Sequence, residues 1–123
     1  MSNPTAHFSP KRMVTIVSDK EKQSAEVPAA NELGPATRLF RALAHEGRLQ
    51  VLLALSRLGP LPAGTLAEIS GLEQSALSHQ LRLLRKERLV TSVRSGKQRI
   101  YQLHDYHVAH IIEDALIHVA EEG

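Results

Sequence analysis

The chain has 123 residues, 42% hydrophobic and 23% charged, which is enough for one small globular domain. It contains no cysteine, so disulfides, iron–sulfur clusters and thiolate metal sites are excluded, and any metal must be held by imidazole and carboxylate groups. The net charge is only +2, and the longest apolar run, residues 51–55, is far shorter than the ~20 residues of a membrane helix. The N-terminus lacks the pattern of a secretory signal, so we expect a cytoplasmic protein that makes no membrane contact.

The chain begins with a polar segment that precedes the first helix. Residues 1–31 show no sustained hydrophobic period, which predicts a flexible N-terminal tail, and residues 32–123 are expected to form the folded domain. The first helix is predicted to follow Gly34-Pro35, because proline is well tolerated in the first turn of a helix. The apolar face of this helix, spaced at i, i+3, i+4 and i+7, consists of Ala36, Leu39, Phe40 and Leu43.

Three further helices are predicted between residues 45 and 86. The second follows a break at His45, which is expected to cap it, and ends at Gly59-Pro60. The third is short, over about residues 62–70, and Gly71 supplies a permissive turn before the fourth, over residues 74–86. The side chains expected to face inward are Leu49, Leu52, Leu53 and Leu55 in the second helix, Leu66 and Ile69 in the third, and Leu77, Leu81 and Leu84 in the fourth.

The hydrophobic period then changes from that of helices to that of strands. Residues 89–94 and 98–103 are β-prone, and the glycine-containing loop at residues 95–97 is typical of a hairpin. A last helix is predicted over residues 106–121. Its buried face is expected to consist of Val108, Ile111, Ile112, Ala115 and Val119. Two helices joined by a tight glycine turn and followed by a hairpin predict a mainly α, winged helix-turn-helix fold.

The fourth helix and the hairpin form a basic segment that indicates double-stranded DNA as a partner. The acidic residue between positions 74 and 101 is Glu87, against Arg82, Arg85, Lys86, Arg88, Arg94, Lys97 and Arg99. The side chains off the leucine stripe that are expected to read base edges and phosphates in a major groove are Ser75, Ser78, His79, Gln80 and Arg82. On the hairpin, Arg94, Lys97 and Arg99 are expected to reach the flanking backbone or minor groove. A merely solvated basic surface is the alternative, but the order of turn, helix and hairpin favours DNA.

These segments resemble the ArsR/SmtB family of metal-sensing transcriptional repressors. The resemblance is carried by LFRALAHEGRLQVLLAL (39–55), SALSHQLRLLRKERLV (75–90) and RSGKQRIYQL (94–103), and it extends over about residues 33–121. It implies a homodimer built from the first and last helices, bound to an inverted-repeat operator with one reading helix in each half-site. The interface residues that it implies in this chain are Leu39, Phe40, Leu43, Ile111, Ile112, Ala115 and Val119.

The last helix combines histidines with carboxylates and contains no lysine or arginine. On a helical wheel, His107, Asp114, His118 and Glu121 lie on one stripe beside the apolar face. His107 and His118 are eleven residues apart, or about 16 Å along one helix, whereas zinc holds its nitrogen ligands at ~2 Å. Two copies packed antiparallel would bring Asp105 and His107 of one chain to His118 and Glu121 of the other. Two-fold symmetry would then create two such sites in each dimer.

The ligand set favours zinc as a regulatory metal that weakens DNA binding. Asp105, His107, His118 and Glu121 are similar in spacing to the last-helix zinc site of the family, and two nitrogen and two oxygen ligands suit tetrahedral zinc. Nickel prefers more ligands, which His110 and residue 7 of the tail could supply, so Ni²⁺ and Co²⁺ stay open. A winged-helix regulator that answers a non-metal signal is a second possibility. An enzyme is disfavoured, because four protein ligands leave zinc no open position.

Overall fold

The computed structural model describes residue 18 and residues 27–122, so most of the predicted tail lies outside the described residues. Residues 34–122 form one compact unit, and the described residues up to Leu33 belong to another. The elements of the described residues are α1 (Ala30–Leu43), α2 (Glu46–Leu58), β1 (Leu61–Pro62), α3 (Ala63–Ser70), α4 (Gln74–Lys86), β2 (Val90–Ser95), β3 (Gln98–Leu103) and α5 (His107–Glu122). The predicted fold class, mainly α with a β-hairpin wing, is confirmed.

The start of α1 differs from the prediction. The helix begins at Ala30 and contains Pro35, although we expected it to start after that proline. Backbone bonds from Glu32 N and Leu33 N to Ala29 O, of 2.9 and 3.0 Å, close a turn ahead of the proline. Because the pyrrolidine ring fixes φ near the helical value, the helix continues through Pro35 with the loss of one backbone hydrogen bond.

Three predicted features fix the start of α2 and the ends of α2 and α3. The cap at His45 is confirmed, because its Nδ1 accepts a hydrogen bond of 3.1 Å from Gly47 N at the start of α2. Gly59 follows α2 with φ 85°, and Gly71 follows α3 in the left-handed conformation with φ 69°. Residues with a Cβ rarely adopt these angles, so the two glycines allow sharp chain reversals there.

The core lies where α2, α3 and α4 meet. Its most deeply buried side chains are Val51, Leu52, Leu66, Leu77 and Leu84. The predicted inward faces of α2 and α4 and the burial of Leu66 are confirmed. Ile69 is exposed, and Ala67 and Leu72 pack against the core instead. No helix among the described residues is long and apolar enough to cross a membrane.

The last helix is buried over only its first half. Ile112 lies in the core, and Ala109, which the sequence pattern did not single out, is also buried. Residues 114–121 are exposed, so the prediction that Ala115 and Val119 belong to the buried face is wrong for the single chain. The physical reason is that α5 packs against α2 near Ile112 and then extends beyond it.

The three strands form an antiparallel sheet in the order β1-β3-β2. In the β2–β3 hairpin Ser92 faces Tyr101 and Arg94 faces Arg99, and the turn contains Gly96 with φ 64°. The third strand, β1, was not predicted; Leu61 and Pro62 pair with residues 101 and 100. The buried Tyr101 fastens the hairpin to the core.

Candidate nucleic-acid interface and metal centre

The exposed side of α4 presents four of the predicted DNA-contacting residues. The left-handed turn at Gly71 directs the chain from α3 into α4, and the leucines of α4 hold its opposite side in the core. The predicted residues that are exposed on this helix are Ser75, Ser78, His79 and Arg82. Hydroxyl, imidazole and guanidinium groups on one exposed arc can donate to base edges and phosphates.

Gln80 is placed differently from its neighbours. Its side chain is half-buried, and Oε1 accepts a hydrogen bond of 3.1 Å from Nη1 of Arg48 on α2. The expectation that Gln80 faces outward with the other residues is therefore wrong. At 100° per residue it lies about 160° around the helix from both Ser78 and Arg82.

The hairpin carries its basic residues at the end farthest from the core. Arg94 and Lys97 are exposed on either side of the turn. Arg99 is half-buried, and its Nη1 donates to Ser92 Oγ on the paired strand at 3.0 Å. Two cations are thus fully available at the tip, and the third also stiffens the hairpin.

The acidic residue of this basic segment is turned toward α1. The Glu87 carboxylate lies 3.3 Å from Nε of Arg38, and its side chain is half-buried. Arg85, Lys86 and Arg88, which surround Glu87 in the sequence, are exposed. The exposed end of α4 is consequently positive, which suits a polyanion.

The predicted metal ligands form two groups at opposite ends of α5. Asp105 Oδ1 accepts a hydrogen bond of 3.0 Å from His107 N and lies 3.4 Å from His107 Nδ1. The His107 side chain is 90% exposed. His118 and Glu121 are exposed in the last turns of the helix. In residues 18 and 27–122 of one chain, no three histidine, aspartate or glutamate side chains are grouped closely enough to hold an ion.

An ion pair between α5 and α2 was not anticipated from the sequence. Arg57 donates from Nε and Nη2 to the two carboxylate oxygens of Glu113, at 2.9 and 2.8 Å. The hydrogen bond from Arg57 lowers the pKa of Glu113, and the same bond raises the pKa of Arg57. The partners are 56 positions apart in sequence, so their pairing follows from how α5 crosses α2.

The predicted interface residues differ in exposure. Leu43 and Ile112 are buried in the core of the chain itself, and Leu39 and Ile111 are half-buried against it. Phe40 is 55% exposed, Val119 is 61% exposed and Ala115 is exposed. Exposed apolar residues of α5 that the sequence analysis did not include are Leu116 and Ile117.

These features define a winged helix-turn-helix transcriptional regulator, and comparison with known proteins gives the family. Residues 45–92 match the arsR family of bacterial regulatory proteins. The chain is 43% identical over 102 residues to the HTH-type transcriptional regulator NmtR of Mycobacterium tuberculosis, covering 83% of each protein. It is 36% identical over 96 residues to the transcriptional repressor SmtB homolog of Synechocystis sp., covering 78% of this chain and 72% of the relative. The chain belongs to the ArsR/SmtB family, as the resemblance in its sequence implied.

Solved structures agree with this assignment. The AntR antimony-specific transcriptional repressor superposes with a TM-score of 0.75 at 29% identity, covering 89% of this chain and 97% of that one. The homodimeric winged helix-turn-helix DNA-binding domain Mb0332 of Mycobacterium bovis superposes with a TM-score of 0.63 at 27% identity, covering 80% and 90%. These relatives are regulators of transcription, in keeping with the prediction that the chain is not an enzyme.

Proposed function

We propose that the chain is a homodimeric repressor that binds an inverted-repeat DNA operator in its metal-free form and releases it when zinc binds. The observation that carries the proposal is the pair of metal-ligand groups at the two ends of α5. The chain exposes Asp105 just before α5, His107 at its start, and His118 and Glu121 near its end, with uncovered apolar residues between the two groups.

A second copy of the chain is the partner that this helix requires. Phe40 on α1 and Val119 on α5 are large apolar side chains that one chain leaves exposed. Burying them against a symmetric partner would remove apolar surface from water, at about 25 cal/mol for each Å². A two-fold axis between antiparallel α5 helices would bring the start of one helix to the end of the other.

The donor set fits zinc. Two imidazoles and two carboxylates provide the nitrogen and oxygen ligands of a tetrahedral site, and His107 is open to solvent on the single chain. The hydrogen bond from His107 N holds the Asp105 carboxylate beside its neighbouring imidazole before any metal arrives. Zinc, when bound, would supply a cross-link between the α5 helices of the two subunits.

DNA would be bound by α4 and the hairpin. Ser78, His79 and Arg82 occupy the exposed arc that would enter a major groove, and Arg94 and Lys97 would reach phosphates or the adjacent minor groove. The positive charge around Arg85 and Lys86 would strengthen binding to any duplex, so the affinity should fall steeply with salt.

The two sites are linked through α2. Helix α5 packs against α2, and Arg57 and Glu113 fasten the two helices, so a change in the position of α5 is transmitted to α2. Helix α2 in turn contacts α4 through Arg48 and Gln80. A coupling free energy of about 1 to 3 kcal/mol is sufficient for regulation, and by linkage DNA must weaken zinc binding by the same factor.

A zinc titration of the protein–DNA complex tests the proposal. The operator affinity of the wild-type protein, measured by fluorescence anisotropy, should fall roughly 5- to 150-fold with zinc. His118→Ala should keep the metal-free affinity and lose the response. His110→Ala is the matched control, because it removes another exposed histidine of α5, and it should respond to zinc as the wild type does. A wild-type complex that is insensitive to zinc would contradict the proposal.

Nickel or cobalt is the second candidate signal, and the position of His110 favours it. This exposed imidazole lies three residues after His107 and so on an adjacent part of the helix surface. It could add a fifth ligand for an ion that prefers more than four. If nickel is the signal, His110→Ala should lose the nickel response, and zinc should release DNA poorly. A regulator of non-metal type would bind none of these ions stoichiometrically in calorimetry.

A further inference from the structure

Arg48 joins three helices through one side chain. It lies in the first turn of α2, and its Nε donates to Ala42 O, at the end of α1, at 2.6 Å. Its Nη1 donates to Gln80 Oε1 on α4 at 3.1 Å. Both bonds are partly buried, and a hydrogen bond from a charged donor is among the stronger kinds.

The contact lies beside a gap between α1 and α4. A groove of about 210 Å³ separates the end of α1 from the end of α4, and its lining residues include Arg41, Leu83 and Leu84. Side chains along such a groove lack close-packed partners on one side, so apolar packing alone fixes the two helices weakly. Polar links across it include the Arg48 hydrogen bonds and the ion pair of Arg38 with Glu87.

Gln80 is suited to holding the helix rather than to reading DNA. It points about 160° away from Arg82, which is on the exposed arc. Its carbonyl oxygen is already an acceptor for Arg48. A side chain in this position can orient α4 without touching a base.

We propose that Arg48 is the positioning residue that locks the reading helix to α1, and that it acts on DNA affinity through Gln80. The inference rests on the proposed function, in which α1 belongs to the dimer interface and α4 enters the groove. Successive half-sites are about 34 Å apart, so two reading helices must keep a fixed separation to bind both. The junction at Arg48 connects the interface helix to the reading helix and so sets that separation.

The test compares the DNA affinity of variants in the metal-free state, with EDTA present. The labelled duplex is one that the wild-type dimer selects from a random-sequence pool. Arg48→Met and Gln80→Met should each weaken binding roughly tenfold or more, since each removes a hydrogen bond from a charged donor. The double variant should bind the duplex as tightly as the single variant with the lower affinity, because both changes break the same link. Gln80→Glu keeps the acceptor for Arg48, so it should bind more tightly than Gln80→Met, even though it adds a negative charge to α4.

Arg38→Met is the matched control for charge. It also removes one arginine beside the groove, but its ion pair is exposed on the arginine side, so binding should change by less than about threefold. The slope of log affinity against log salt should be the same for Arg48→Met as for the wild type, whereas loss of a phosphate contact would reduce the slope by about one.

Several results would overturn the inference. These are additive losses in the double variant, binding by Gln80→Glu that is no tighter than by Gln80→Met, a reduced salt slope in Arg48→Met, or equal effects of Arg48→Met and Arg38→Met. If Arg48→Met fails to fold, as circular dichroism would reveal, the pair Gln80→Met and Gln80→Glu decides alone. A wild-type protein that binds DNA but ignores zinc would refute the proposed function and leave this inference standing, and one that selects no duplex would refute both.

Discussion

Arg88 is a residue whose backbone conformation its side chain does not favour. It has φ 63°, in the left-handed region, two residues after the end of α4. There the chain reverses, with Leu89 N bonded to Leu84 O at 2.8 Å, and this places Leu89 in the core. A residue with a Cβ in this region carries a strain of order 1 kcal/mol or more, which the burial of Leu89 offsets.

The effect of a substitution at Arg88 should depend on how well the new residue tolerates a positive φ. Arg88→Gly should leave the free energy of unfolding unchanged or raise it by up to about 1 kcal/mol, because glycine adopts positive φ without strain. Arg88→Val should lower it by about 1 to 2 kcal/mol, because a β-branched residue tolerates this region least. Urea denaturation followed by circular dichroism measures both.

Arg85→Gly is the control for the previous pair. Arg85 has ordinary helical surroundings in the last turn of α4, so glycine should cost about 0.5 to 1 kcal/mol there. If Arg88→Gly destabilises the protein as much as Arg85→Gly, Arg88 is not strained.

Individual residues were predictable where one side chain decides the local structure. His45 as a cap and Gly71 in a left-handed turn follow from residue type alone. Gln80 was placed with the outward residues because it lies off the leucine stripe, although the wheel puts it about 160° from Arg82. Its bond to Arg48, 32 positions away, is not visible in the sequence. A helical wheel gives the direction of a side chain but not the group that it meets.

At the scale of elements, the ion pair between α2 and α5 makes the stability of the fold depend on pH. Arg57 lowers the pKa of Glu113 below its ordinary value of about 4.5, so the folded state favours the carboxylate. The stability that this pair contributes is therefore present above the ordinary pKa and is lost as the pH falls through the lowered value. The Arg57 side chain is 58% exposed and that of Glu113 is 31% exposed, so the contribution is small and screened by salt.

Glu113→Gln should show this dependence in urea denaturation. The wild type should be more stable than the variant at pH 7, and the difference should shrink toward pH 3 as Glu113 becomes protonated. Asp114→Asn is the control, because Asp114 is an exposed neighbour on the same helix. A difference for Glu113→Gln that is the same at both pH values, as for the control, would show that the ion pair is not the cause.

The sequence predicted where the helices lie along the chain, but not what covers their apolar faces. Apolar periodicity located α4 at residues 74–86 and the hairpin within one residue, because a buried face imposes its period on the sequence. The same periodicity marked Ala115 and Val119 as buried, although nothing among residues 27–122 covers them. Periodicity identifies an apolar face without saying whether the same chain or another copy packs on it. The two-residue β1, ending in Pro62, is too short to produce a pattern.

At the scale of the whole molecule, the proposed dimer predicts the effect of a charge on α5. Val119→Glu should weaken dimerisation by about 3 kcal/mol or more, because an unpaired carboxylate would be buried between the subunits. The variant should be monomeric at micromolar concentration in sedimentation velocity, and it should bind both zinc and operator weakly.

Leu58→Glu provides the comparison for that variant. Leu58, at the end of α2, is 63% exposed and Val119 is 61% exposed, yet Leu58 is outside the proposed interface. Leu58→Glu should therefore leave the protein dimeric. Equal behaviour of the two variants, whether both monomeric or both dimeric, would contradict the assignment of α5 to the interface.

The order of strands in the sheet bears on how the protein avoids aggregation. One edge is β1, where Pro62 has no N–H to donate, so this edge offers little for another strand to pair with. The other edge is β2, which exposes Val93 but carries Arg94 beside it. Two such edges from different molecules repel each other through their arginines, whereas a phosphate backbone attracts them. The same positive edge thus discourages strand addition by another copy and favours contact with nucleic acid.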